Sequence, residues 1–104
     1  VAVDLRKDLL LWQMDSAILS NHNLNQLWIP EGFAHGFLTL SDTAYVQYKV
    51  TNYWSQLHEN SLIWSDEVVN IDWPFDVCNK NKIKLSNKDS NAPTFHEIVK
   101  SDFF

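Results

Sequence analysis

Apolar and polar residues alternate along residues 44–51. This two-residue period predicts a β-strand, with Val46, Tyr48 and Val50 on its apolar face and Gln47 and Lys49 on the opposite face. We therefore expect the Tyr48 side chain to point into the core of the domain. A buried phenol needs a hydrogen-bond partner, or it serves as an acid where a ligand reaches it.

Other short segments with strand character follow one another at close spacing. They cover residues 1–5, 9–19, 27–30, 37–40, 44–53 and 62–64, with turns predicted at residues 20–25, 41–42 and 65–67. The periodicity of residues 9–19 fits a helix as well as a strand. Many short strands at this spacing favour an antiparallel β-sandwich or barrel.

Two local signals add a corner and a helix to this outline. Gly32 and Gly36, the two glycines of the chain, lie four residues apart in an apolar segment and predict a tight, irregular corner. Thr94 and Glu97 have the spacing of a capping box, which predicts a short C-terminal helix within residues 94–104.

The length and the net charge of the chain limit the number of domains and the kinds of partner that can be expected. The 104 residues are 45% hydrophobic and include five tryptophans, which predicts one folded domain over residues 1–104. The net charge of −5 argues against binding to nucleic acid or to an anionic membrane. We therefore expect a small-molecule partner.

The cysteine count and the hydropathy of the chain indicate the cellular compartment in which it works. One cysteine, Cys78, excludes an internal disulfide and a cysteine zinc site, which fits a reducing compartment. No apolar run reaches the roughly 20 residues of a membrane span, and no leader precedes Val1. These features predict a soluble, cytoplasmic protein.

Longer motifs give the sequence a family resemblance. WIPEGFAHGF at residues 28–37, TNYW at 51–54, LIWSDE at 62–67, IDWPF at 71–75 and LSNKDSNAP at 85–93 occur in this order. Together they resemble the dTDP-4-dehydrorhamnose 3,5-epimerase family, whose members act in the biosynthesis of rhamnose and related deoxysugar nucleotides. The resemblance covers nearly the whole chain and corresponds to the C-terminal part of a family member.

The resemblance implies a fold and an assembly. It predicts an all-β fold, an antiparallel cupin-type jelly-roll barrel with a short C-terminal helix, and it favours strand over helix at residues 9–19. The barrel would be incomplete at its N-terminal side, because the early strands of the family have no counterpart in this chain. Family members are homodimers, so a homodimer or higher homo-oligomer is expected.

The resemblance also implies catalytic residues. The family interconverts dTDP-4-dehydro-6-deoxyglucose and dTDP-4-dehydrorhamnose, removing a proton next to a ketone on one face and returning one on the other. Tyr48 matches the family's proton-donating tyrosine, and Asp89 matches the aspartate that orients the base histidine. Without the motifs, Tyr48 would be interpreted as a core phenol bonded to backbone, and Asp89 as an exposed turn residue.

Four further residues match substrate-binding positions of the family. His35 matches a histidine that lines the site, and Trp54 matches the aromatic residue that stacks on thymine, where many members have tyrosine. Glu59 and Lys88 match positions that contact the nucleotide. The alternatives are a core histidine, a tryptophan covering the core, a loop carboxylate and a solvated lysine.

The base histidine itself has no counterpart among these motifs. The other histidines lie outside the motifs, and their scattered spacing does not fit a cupin metal site, so we expect neither a metal nor an organic cofactor. The chain is therefore either a fragment of an epimerase or a shortened relative kept for binding or assembly. We expect little or no turnover by these 104 residues alone. The alternatives are a non-catalytic dTDP-sugar-binding module and an oligomerisation module.

Overall fold

The computed structural model, which describes residues 1–6 and 13–101, contains a small antiparallel sheet of three strands. Strand β1 (Ala2–Asp4) is the middle strand, flanked by β2 (Met14–Asp15) and β3 (Phe33–His35) in the order β2-β1-β3. Ala2 lies opposite Asp15 on one side and opposite His35 on the other. The sheet and the few short helices are compatible with an all-β fold.

The prediction of the opening strand is confirmed, whereas the predictions of several later strands are wrong. Residues 9–12 of the predicted 9–19 strand lie outside the described residues, and β2 forms within the remainder. Residues 27–30, 37–40, 44–53 and 62–64 contain no strand. Alternation identifies which side chains could share a buried face, but a strand exists only where a neighbour accepts and donates the ladder hydrogen bonds. In the described part of the chain, no such neighbour lies beside residues 44–53.

The glycine corner forms at Gly32. Its φ of +85° lies in the left-handed region, and its carbonyl accepts a hydrogen bond from the Leu5 amide at 3.3 Å. A Cβ at this position would lie 2.8 Å from the Arg6 Cγ atom. The Arg6 side chain crosses the corner to place its guanidinium 5.2 Å from the Phe33 ring centroid and to bind the buried Asp4 carboxylate. The hydrogen bond from Arg6 lowers the pKa of Asp4.

The core joins residues from the beginning, the middle and the end of the chain. Val3 and Leu5 from the first segment meet Val69 and Phe95 in one buried cluster. Ile98, one turn after Phe95, is also buried. The remaining members are partly buried, and they are Val1, Ala34, Leu62 and Ile71. Segments from both ends of the chain therefore share one core.

Residues 13–101 also contain four short helices. They are two 3₁₀ helices, Gln56–His58 and Lys80–Lys82, and two α-helices, α1 (Asn87–Ser90) and α2 (Phe95–Lys100). The predicted capping box at the start of α2 is confirmed, because the Thr94 hydroxyl accepts from the Glu97 amide and the Glu97 carboxylate accepts from the Thr94 amide at 2.7 Å. The hydrogen bond from the Thr94 backbone is the main cause that lowers the pKa of Glu97. The helix is shorter than the predicted residues 94–104, of which 102–104 lie outside the described residues.

One buried carboxylate ties the C-terminal helix to the middle of the chain. Asp66 is 5% exposed, and its Oδ1 atom accepts the amides of Val68 and Val69 at 3.0 and 2.9 Å. Its Oδ2 atom accepts the Phe95 amide at 2.7 Å. The Ile63 amide adds a backbone bond to the Pro93 carbonyl at 2.9 Å. These bonds fix the position at which the chain leaves α1 and enters α2.

Candidate functional site

His35 and Tyr48 come together although they are 13 positions apart in the sequence. His35 ends strand β3, which holds its backbone against β1. The imidazole and phenol rings are 6.0 Å apart between centroids and tilted by 57°. An imidazole beside a phenol provides two groups that can exchange protons with a ligand bound between or over them.

Tyr48 is not buried as the alternation predicts. Its residue is 57% exposed, and the neighbours expected to share its buried face, Val46 and Val50, are exposed as well. The reason is that residues 44–53 extend without a paired strand, so that no second layer covers this face within the described residues. The phenol is therefore accessible to a ligand, and its ring lies beside the His35 imidazole.

Trp54, Glu59 and Lys88 form a second group. Lys88 lies on α1, whose N-cap is Ser86, and its ammonium contacts the Glu59 carboxylate across 29 residues of sequence. The hydrogen bond from Lys88 is the main cause that lowers the pKa of Glu59, and a hydrogen bond from the Trp54 side chain lowers this pKa further. Trp54 remains 71% exposed, which leaves its ring accessible for stacking.

Asp89 follows Lys88 on α1. Its backbone amide donates to the Ser86 hydroxyl at 3.1 Å, which caps the first turn of the helix. The residue is exposed. Its carboxylate is thus placed within the same short helix as Lys88 but is not buried against another group of the site.

A cleft of about 370 Å³ lies beside the Glu59–Lys88 pair. Its wall continues with polar and small residues, namely Asn60, Ser61, Asn91, Ala92 and Pro93. Sequence reasoning did not single out the amides of Asn60 and Asn91, although Asn91 lies within the LSNKDSNAP motif. Amide groups at these positions can donate to and accept from a polar ligand.

The arrangement thus has two parts with different chemistry. The His35 and Tyr48 rings can take part in proton transfer, whereas the indole, carboxylate and ammonium of the second group suit an aromatic and anionic ligand. Among residues 1–6 and 13–101, no group of three or more histidine, cysteine, aspartate or glutamate side chains is placed to hold a metal ion. No helix in these ranges is long and apolar enough to cross a membrane.

Comparison with known proteins identifies a family. The family model described as dTDP-4-dehydrorhamnose 3,5-epimerase matches residues 1–97. Curated relatives have this same name, and three of them are compared with the chain below. The Salmonella typhimurium protein is 47% identical over 100 residues, which cover 95% of this chain and 52% of the relative. The Shigella flexneri protein is 45% identical over 105 residues, covering 100% of this chain and 54% of the relative.

The third relative, from Methanothermobacter thermautotrophicus, is 40% identical over 98 residues, which cover 93% of this chain and 52% of that protein. No solved structure matches the chain. The class defined by these matches is that of sugar-nucleotide isomerases. The chain belongs to the dTDP-4-dehydrorhamnose 3,5-epimerase family. It spans about half the length of the curated relatives it matches, and this half is their C-terminal one.

Proposed function

We propose that this chain forms the C-terminal part of the active site of a dTDP-4-dehydrorhamnose 3,5-epimerase. The substrate would be dTDP-4-dehydro-6-deoxyglucose, and the product dTDP-4-dehydrorhamnose. The observation that carries this proposal is the family match over residues 1–97, together with the contacts within the two groups of site residues.

Epimerisation next to a ketone proceeds by two proton transfers. A base removes the proton at C3 or C5, the electron pair delocalises into the carbonyl as an enolate, and an acid returns a proton to the other face. Tyr48 is the proposed acid, and the neighbouring His35 ring lines the substrate site and orients the phenol. Asp89 is proposed to orient and polarise the base histidine.

The second group is proposed to bind the nucleotide. The exposed Trp54 ring would stack on thymine, and Lys88 would pair with a diphosphate oxygen. Glu59 contacts Lys88, so it would hold the ammonium in position for the nucleotide. Metal and organic cofactors have no role in this proposal.

The same proposal covers fold and assembly. Residues 1–104 would be a single domain, the C-terminal portion of a cupin-type jelly-roll barrel, and the functional protein would be a cytoplasmic homodimer. Since no histidine of the motifs matches the base, these 104 residues alone are proposed to bind substrate with little or no turnover.

A second candidate function is a dTDP-sugar-binding module without catalysis. The contact of Glu59 with Lys88 favours this alternative, because two of the proposed nucleotide-binding residues contact each other directly. Asp89, in contrast, is exposed, and no histidine of this chain is matched to the base that it would orient. An oligomerisation module without a ligand would follow if neither group binds a nucleotide.

Titration with dTDP separates these functions. We expect saturable quenching of tryptophan fluorescence in the wild-type chain, and its loss in Trp54→Ala, with Trp28→Ala as a matched control because Trp28 is also exposed and outside the site. Solvent deuterium at C3 and C5 of the substrate is then followed by NMR after the chain has been mixed with the N-terminal half of the Salmonella typhimurium relative, made as a separate polypeptide. Incorporation in this mixture distinguishes the C-terminal part of an epimerase from a binding module, because the 104 residues alone should show little or no exchange in either case. Absence of dTDP binding by the wild-type chain would contradict the nucleotide site.

A further inference from the structure

The side chains of Trp54, Glu59 and Lys88 are joined in a definite order. The Glu59 carboxylate accepts a hydrogen bond from the Trp54 side chain, whose one polar group is the indole N–H. The same carboxylate contacts the Lys88 ammonium, which comes from α1. Glu59 therefore lies between an exposed aromatic ring and a cationic group.

A thymidine nucleotide has its parts in a matching order. Its aromatic base is joined to the pentose, and the pentose is joined to the diphosphate. The comparison rests on the proposed function, in which Trp54 stacks on thymine and Lys88 pairs with a diphosphate oxygen. When these two ends of the nucleotide are bound in this way, the part that comes closest to Glu59 is the pentose.

The cleft beside the Glu59–Lys88 pair has room for this part of the ligand. Its volume of about 370 Å³ is within the range of small-molecule sites, which is about 300–1,000 Å³. The described wall comes from residues 59–61 on one side and from residues 88 and 91–93 on the other. Its charged members, Glu59 and Lys88, have opposite signs, so this wall has no net charge and suits an uncharged, hydroxyl-bearing group.

Asn60 and Ser61 provide polar groups for such a hydroxyl. Both line the cleft directly after Glu59 in the sequence. The Asn91 amide already donates to the Asn87 carbonyl at 2.7 Å, whereas the Asn60 and Ser61 side chains make no hydrogen bond within residues 1–6 and 13–101. An amide group and a hydroxyl can each donate and accept, as a pentose hydroxyl does.

We propose that Glu59, Asn60 and Ser61 bind the 3′-hydroxyl of the nucleotide's deoxyribose in this cleft. The hydroxyl donates to the Glu59 carboxylate, which has lone pairs beyond those used by Trp54 and Lys88. It accepts from the Asn60 amide or from the Ser61 hydroxyl. Asn60 and Ser61 thus add a specificity for the pentose to the contacts with the base and the diphosphate.

Two nucleotides that differ in one hydroxyl test this assignment in the wild-type chain. They are dTDP and its analogue without the 3′-hydroxyl, 3′-deoxythymidine diphosphate, each titrated while tryptophan fluorescence is followed. We expect the analogue to bind about tenfold more weakly or worse, because it cannot donate a hydrogen bond to the carboxylate. Neither nucleotide has a hexose, so a difference cannot come from hexose hydroxyls.

A double variant locates the contact on the protein. Asn60→Ala, Ser61→Ala should weaken dTDP binding about threefold or more and should bind the analogue as the wild-type chain does. The matched control is Asn81→Ala, Ser65→Ala, because both residues are exposed and neither lines the cleft. This control should bind both nucleotides as wild type does, and an unchanged urea midpoint shows that each variant is folded.

The outcomes separate this inference from the proposed function. Equal affinity of the wild-type chain for dTDP and the analogue would overturn the pentose assignment and leave the proposed nucleotide site standing. An equal loss for both nucleotides in the double variant would overturn the roles of Asn60 and Ser61, because these residues would then act on another part of the ligand. Binding of neither nucleotide would overturn both this inference and the proposed nucleotide site.

Discussion

Replacement of Asp66 should have a larger effect on stability than replacement of any exposed carboxylate. The buried Asp66 side chain accepts three backbone amides, two from residues 68 and 69 and one from Phe95 at the start of α2. Asp66→Ala removes all three acceptors. Asp66→Asn keeps one acceptor oxygen and replaces the other with a donor, which cannot accept an amide hydrogen.

The expected losses follow from these contacts. A hydrogen bond to a charged group contributes about 1.5–3 kcal/mol, and bonds that share one carboxylate are not additive, so the alanine variant should lose about 3–5 kcal/mol. The asparagine variant should lose about 1.5–3 kcal/mol, because it retains part of the acceptor set. A small domain has a total stability of about 5–15 kcal/mol, so either change is a large fraction.

Urea denaturation followed by circular dichroism measures these losses. With a slope of about 1–3 kcal/mol per molar urea, the alanine variant should lower the midpoint by about 2 M. The matched control is Asp42→Ala, because Asp42 is exposed in a turn, and it should change the stability by less than about 0.5 kcal/mol. An Asp66→Ala protein within about 1 kcal/mol of wild type would refute the role assigned to this carboxylate.

Three further predictions concern the corner, the helix cap and the nucleotide group. Gly32→Ala should cost about 1–2 kcal/mol of unfolding free energy because of the positive φ, whereas Gly36→Ala, whose Cβ would meet only an ordinary contact at 3.6 Å, should cost less in the same urea titration. Since capping lowers the pKa of Glu97 in the folded state, its stabilisation is complete above the ordinary glutamate pKa and is lost as the pH falls through the lower folded-state value. Wild type should therefore lose more stability than Glu97→Gln between about pH 5 and about pH 3, and equal losses would contradict this cause. Lys88→Met should weaken dTDP binding about tenfold or more in a fluorescence titration, as the loss of a charge-assisted bond implies, while the exposed Lys84→Met should bind as wild type does.

Local signals in the sequence predicted the local features of the fold. The spacing of Thr94 and Glu97 predicted the capping box because the two residues lie in one helical turn. Gly32 and Gly36 predicted the corner because glycine adopts a positive φ readily, as Gly32 does, whereas the contacts of the corner with Leu5 and Arg6 join residues far apart in sequence. The strand at residues 44–53 was not predicted correctly, since alternation describes one segment whereas a strand requires two. The part played by Asp66 could not be predicted either, because one of its donors, Phe95, lies 29 residues away.

In the candidate site, too, the sequence indicated individual residues but not the contacts between distant ones. The family motifs selected Glu59 and Lys88 separately, and the structure shows that these residues contact each other. The motifs also selected His35 and Tyr48, whose rings are neighbours, but the burial of Tyr48 depended on a second layer of strands. The catalytic and binding roles of the six residues remain predictions.

Solvent deuterium incorporation tests the central claim most directly, namely that this chain contributes the proton donor of a sugar-nucleotide epimerase. The chain is mixed with the N-terminal half of the Salmonella typhimurium relative, made as a separate polypeptide, and incubated in deuterated water with dTDP-4-dehydro-6-deoxyglucose, and the signals at C3 and C5 are followed by NMR. The account predicts exchange at both carbons together with formation of dTDP-4-dehydrorhamnose, and loss of the epimerised product in Tyr48→Phe. Equal product formation by wild type and Tyr48→Phe would contradict it.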